Sequence, residues 1–68
     1  MAITYKKLWK LLIDRDMSKA ELRELSGVGA STFSKMNKNE YVSLEVLVKL
    51  CLALNCELGD IVEIVRGD

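Results

Sequence analysis

The sequence predicts an all-α fold, a compact domain of five short helices, and three observations carry that expectation. Apolar residues recur at three- and four-residue spacing along most of the chain, no proline interrupts it, and no stretch alternates apolar and polar residues long enough to specify a strand. Half of the 68 residues are hydrophobic and only four are glycine, a balance that favours an ordered helical chain over a disordered one. A chain of this length buries one small core, so residues 1–68 are expected to form a single domain.

Each helix has its own signature. From Thr4 to about Asp14, the residues Tyr5, Leu8, Trp9 and Leu12 form an apolar stripe, with Lys6, Lys7 and Lys10 on the opposite side. Trp9, on that stripe, is expected in the core rather than stacked on a base. Ser18 followed three residues later by Glu21 is the pattern of a capping box, and it opens a second helix whose apolar contacts are Leu22 and Leu25. Gly27 ends that helix. A third lies between Gly29 and Asn37, with Phe33 and Met36 inward and Ala30, Ser31, Ser34 and Lys35 outward. The stretch from Asn37 to Val42 has turn-forming residues and no stripe, so it reads as a loop. Ser43 caps the fourth helix, whose inner face is assigned to Leu44, Leu47, Val48, Cys51 and Leu54, with Asn55 as a left-handed stop. A fifth helix is expected from Glu57 to Val65, and its Leu58, Ile61, Val62, Ile64 and Val65 exceed what one small core needs.

Composition excludes several functions. With no histidine and two cysteines, Cys51 and Cys56, the chain cannot assemble a four-ligand zinc site from soft ligands, so no metal and no cofactor are expected, and the cysteines are read as packing residues. There is no glycine-rich phosphate loop and no nucleophile with a base at motif spacing, which argues against an enzyme. No apolar run reaches the length of a membrane span and the N-terminus lacks a secretion-signal pattern, so a cytoplasmic protein is expected.

The charges sum to zero but are segregated. Residues 1–38 hold eight bases and four acids, net +4, and residues 39–68 hold two bases and six acids, net −4. A molecule polarised in this way can turn a basic face to phosphates and keep its acidic part away. Lys6, Lys7 and Lys10 read as a solvated helix face with weak attraction at most.

Residues 18 to 37 meet the requirements of a helix-turn-helix. Such a motif needs a bracing helix, a tight turn, and a second helix able to enter the major groove of DNA. Gly27 permits positive φ at the turn, Val28 can plug the gap between the helices, and Leu22 and Phe33 can fix their angle. The outer side of the third helix has no bulky apolar residue to obstruct a groove.

On these residues the chain resembles the lambda-repressor-like, Xre-type (Cro/repressor-type) helix-turn-helix regulators, in particular their short stand-alone bacterial members. The resemblance covers nearly the whole chain: Tyr5-Lys6-Lys7-Leu8-Trp9-Lys10-Leu11-Leu12, Met17-Ser18-Lys19-Ala20-Glu21-Leu22 leading to Gly27-Val28, Ser31-Thr32-Phe33-Ser34-Lys35-Met36, Val42-Ser43-Leu44, and Cys56-Glu57-Leu58-Gly59-Asp60-Ile61. It implies a five-helix fold, transcriptional control, usually repression, and a dimer on a palindromic operator of double-stranded DNA. Carried over by position, it implies base contacts from Gly29, Ala30, Ser31, Ser34 and Lys35, and phosphate contacts from Ser18, Lys19, Lys38, Asn39, Tyr41 and Ser43. Tyr41 could equally cover the core. The chain departs from the family in having Lys19 where many members have glutamine, Arg23 where they have alanine, and Gly29 where they have a serine cap. Arg23 must then turn its head outward along the surface.

One copy makes few base contacts, and specific operators generally need two half-sites about one helical turn apart, so a homodimer is expected. Its surface is assigned to Leu58, Ile61, Ile64 and Val65, with Leu50 or Val46 as candidates beside them. The rival reading is a protein-interaction module, antitoxin-like or a co-regulator, that uses the same apolar C-terminal segment and binds DNA weakly or not at all.

Overall fold

The computed structural model describes residues 2–66. Four helices form as the stripes and caps predict: α1 (Lys6–Asp14), α2 (Lys19–Ser26), α3 (Ala30–Asn37) and α4 (Leu44–Leu54). In α1 the start moves two residues later than the stripe suggests, because Thr4 belongs to a strand and its Oγ1 accepts from the Lys6 amide at 3.2 Å. The stop of α4 is as expected, with Asn55 in the left-handed region at φ 54°.

The buried residues form one cluster, built from Tyr5, Leu8 and Leu12 of the first segment, Leu22, Val28, Phe33 and Met36 of the helix-turn-helix, and Leu50, Cys51, Leu54 and Ile61. Two inner-face assignments need correction. Leu25 is 62% exposed, so α2 reaches the core through Leu22. In α4 the inner stripe is Leu50, Cys51 and Leu54 with Leu47 half-buried, whereas Leu44 and Val48 face outward. Because α4 is apolar almost all round, both stripes satisfy helical spacing, and only the packing partners choose between them.

The larger correction concerns the C-terminal segment, which is not a fifth helix. It makes one 3-10 turn (Leu58–Asp60) and then an extended strand, β2 (Glu63–Ile64), antiparallel to β1 (Ile3–Thr4) with Ile3 opposite Ile64 and Thr4 opposite Glu63. Val65 extends the ladder by donating to the Ala2 carbonyl at 2.8 Å. The physical reason is local. Glu57 and Asp60 close a capping box around a single turn, Gly59 weakens a helix interior, and the β-branched Ile61, Val62, Ile64 and Val65 favour extended backbone. A two-residue strand is too short to show alternation, which is why the sequence predicts none.

This C-terminal packing also removes two residues from the expected dimer surface. Ile61 is fully buried and so is Leu50, both as parts of the monomer core. Leu58, Ile64 and Val65 remain exposed. Further ties hold the segments together: the Arg15 guanidinium donates to the Leu54 carbonyl, and Lys7 Nζ donates to the Gly59 carbonyl at 3.1 Å. No helix of the described residues is long and apolar enough to cross a membrane.

Candidate nucleic-acid interface

The helix-turn-helix is held by short-range hydrogen bonds that follow from its sequence. Ser18 Oγ accepts from the Glu21 amide at 3.1 Å, and the Ser18 amide donates to Glu21 Oε1 at 3.0 Å, so both halves of the capping box are closed. The hydroxyl proton of Ser18 is left over for an acceptor outside the protein. At the other end, Gly27 takes φ 76° and its amide donates to the Arg23 carbonyl at 2.9 Å. Ser26 supports the turn, donating from Oγ to the Leu22 carbonyl at 2.7 Å and accepting from the Val28 amide at 3.2 Å. Val28 is buried between the helices as expected.

Gly29 caps α3 in extended backbone and supplies no side-chain hydrogen bond. From there the helix separates its residues sharply: Phe33 and Met36 are buried, and Ala30, Ser31, Ser34, Lys35 and Asn37 are exposed. No acidic residue lies in α3. Every residue assigned to base contact is therefore on the surface, together with Gly29. Arg23 of α2 is exposed too, its head turned outward as its position requires.

Shallow grooves run along both flanks of α3. One is lined by Lys19, Ala20 and Arg23 of α2 and by Ala30, Phe33, Ser34 and Asn37 of α3. The other is lined by Thr32 and Lys35 of α3, by Tyr41, Val42 and Ser43, and by Val46 of α4. The fold thus brings Lys35 to the same groove as Tyr41 and Ser43, and places Lys19 on the opposite flank. Tyr41 is 62% exposed, so it does not cover the core. Ser43 Oγ accepts from the Val46 amide at 3.2 Å as the cap of α4, and Lys38, the residue after α3, is exposed.

Asn39 has a structural duty that sequence spacing does not reveal. It sits in the left-handed region at φ 58°, half-buried, and its Oδ1 accepts from the Tyr5 amide at 3.2 Å, while the Tyr5 hydroxyl donates to the Glu40 carbonyl at 2.7 Å. The loop after α3 is thereby fastened to the start of α1. Two further residues at this face escape sequence reasoning. Trp9 is only partly buried, its ring centroid 6.3 Å from that of Phe33, and Lys19 Nζ lies 4.2 Å from the centroid of its indole. The same ammonium donates to Asn37 Oδ1 at 2.7 Å. A lone tryptophan on an apolar stripe gives no hint of either contact.

The cysteines are both free thiols. Burial pushes the Cys51 thiol up to about 11, with further contributions from Cys56 and the nearby carboxylates of Glu57 and Asp60; burial also raises Cys56. Such thiols are poor nucleophiles at neutral pH, consistent with a packing role.

Comparison with known proteins agrees with this geometry. The sequence profile of the Cro/C1-type helix-turn-helix (HTH) DNA-binding domain matches residues 7–67. Among solved structures, the chain is similar to the crystal structure of the transcriptional regulator VanUg (Form II), with a TM-score of 0.91 and 59% identity over 97% of this chain and 88% of that one. No curated protein gives a significant match. A capped α2, a left-handed glycine turn and an unobstructed α3, matched by that profile over nearly its whole length, show that the chain belongs to the family of Cro/C1-type helix-turn-helix DNA-binding domains.

Proposed function

We propose that this chain is a transcriptional repressor that binds a palindromic operator as a homodimer, each copy inserting α3 into the major groove. The observation that supports it most is the outer face of α3, which is small, polar and basic, carries no acid, and has a groove on either side. A helix in the major groove lies between two phosphate backbones, and the two grooves put polar donors at both. The similarity to a transcriptional regulator supports the regulatory role.

In this reading Lys35 donates to guanine acceptors, Ser31 and Ser34 donate or accept, Ala30 touches a thymine methyl, and Gly29 lets the backbone approach closely. Ser18 and Lys19 contact phosphate on one flank, and Lys38, Tyr41 and Ser43 on the other. Asn39 adds at most its amide hydrogens, since its oxygen is already committed to Tyr5. Leu58, Ile64 and Val65 supply the dimer contact. The protein acts in the cytoplasm, without cofactor, metal or catalytic step.

Selection of bound duplexes from a random pool at about 100 mM salt tests the proposal, because counterion release makes phosphate binding fall steeply with salt. The expected result is an enriched sequence made of two inverted half-sites about one helical turn apart. Enrichment of no sequence, together with a flat salt dependence, would overturn it in favour of a protein-interaction module.

A further inference from the structure

We infer that Trp9 of α1 is a positioning residue for recognition of the DNA backbone: its ring and the Asn37 carboxamide hold the Lys19 ammonium between them, so that three helices aim one cation at one phosphate. The inference rests on the DNA-docking reading above, in which Lys19 contacts a phosphate.

Trp9 differs from its neighbours on the same helix. Leu8 and Leu12 are buried, whereas Trp9 is half-buried, its ring tilted at 45° to that of Phe33 of α3 and lying beneath Lys19 Nζ. A ring placed only to fill the core has no need of a cation at 4.2 Å. Lys19 itself is exposed at the first position of α2, where an unconstrained lysine would occupy many rotamers. Ordering such a side chain when DNA binds costs affinity, and a side chain ordered beforehand avoids that cost. The ammonium has three hydrogens; one is given to Asn37 Oδ1 at 2.7 Å and the ring face attracts the charge, which leaves a donor for a phosphate oxygen. The location suits the task. Lys19 and Asn37 line the same groove beside α3, and Arg23, one turn further along α2, lines it too, extending the line of positive charge. No acid lines that groove.

A merely structural role for these contacts, tying α1 to α2 and α3, makes a different prediction about DNA. The probe is a labelled random-sequence duplex of about 20 base pairs, since backbone contacts do not depend on sequence, titrated by fluorescence anisotropy over a range of salt. Lys19→Met is expected to lower the log-log salt slope by about 0.9, the loss of one phosphate contact. Trp9→Leu is expected to weaken binding about two- to fivefold, and Trp9→Phe, which keeps an aromatic face, to restore most of it. In the Lys19→Met background, Trp9→Leu is expected to change DNA affinity no further. Equal effects of Trp9→Leu with and without Lys19 would overturn the inference, because Trp9 would then act through the fold alone.

The free protein provides a check that does not need a stable variant. NMR of the wild-type chain is expected to show the Lys19 ε-protons shifted upfield by the indole ring, and ε-protons at random-coil positions would overturn the inference whatever the DNA result. If the wild-type chain bound no duplex while the upfield shift was present, the DNA reading would have failed with the packing intact.

Discussion

Two glycines bracket the turn of the helix-turn-helix, and they are there for different reasons. Gly27 adopts φ 76°, a conformation that an L side chain reaches at a cost of about 1–2 kcal/mol, although no atom lies within 4 Å of an added Cβ. Gly29 sits at φ −76° with equally open space, so nothing steric requires glycine there. Gly27→Ala is therefore expected to lower stability by about 1–2 kcal/mol, and Gly29→Ser to raise it by a few tenths through a new cap, both read from urea unfolding midpoints. The thiols give a second expectation. Because the Cys51 thiol titrates near 11 in the folded protein against 9.0 for the unperturbed group, the unfolded chain loses its proton first as pH rises. Stability should thus hold below pH 9.0 and decline toward pH 11, and replacing both cysteines by alanine should flatten the decline, since Cys56 is raised as well. Gly27, Ser18 and the small outer residues of α3 were legible in the sequence, because each acts through neighbours within a turn. The meeting of Trp9, Lys19 and Asn37 was not: they come from three helices, and their contact depends on inter-helix angles that no spacing encodes.

At the scale of elements, what made α1 to α4 readable was punctuation. Ser18 with Glu21, Gly27, Ser43 and Asn55 each mark a helix end by a hydrogen bond or a left-handed residue that the sequence names directly. The segment from Glu57 onward has such punctuation for only one turn, and its branched residues then go to a strand whose partner is some sixty residues away. The inner face of α4 was ambiguous for the opposite reason, an excess of apolar positions. Lys35 in α3 and Lys38 just after it are expected to separate two kinds of contact. Lys35→Ala should relax sequence preference at one or two positions of the site, whereas Lys38→Ala should weaken binding to all sequences alike and reduce the salt slope by about 1. Binding of a panel of single-base operator variants by each mutant measures this, and a uniform loss for Lys35→Ala would remove it from the base-reading set.

For the whole molecule, the charge segregation read from the sequence takes on a position. Lys19, Arg23, Lys35 and Lys38 are all exposed on or beside α2 and α3, while Glu57, Asp60 and Glu63 are exposed on the C-terminal segment; Asp68, the last acid of that half, lies outside the described residues. A field of this shape orients the molecule on approach to a polyanion even at zero net charge. The same C-terminal segment bears the proposed dimer contact, and Ile64, exposed on β2, is its most accessible apolar residue. Ile64→Asp is expected to leave the monomer folded by circular dichroism, because the side chain is outside the core, and to leave one copy per operator in light scattering of the complex. Two copies per operator in that variant would move the dimer surface elsewhere.

The short ladder between Ile3 and Ile64 has a topological consequence. It lays the two ends of the described chain side by side, so the backbone runs almost as a ring, with its helices strung between neighbouring ends. A ring tolerates being opened elsewhere: a circular permutant that joins the ends through a short linker and begins at the exposed Tyr41, past the Asn39 and Glu40 contacts to Tyr5, would keep every helix intact and strain neither strand.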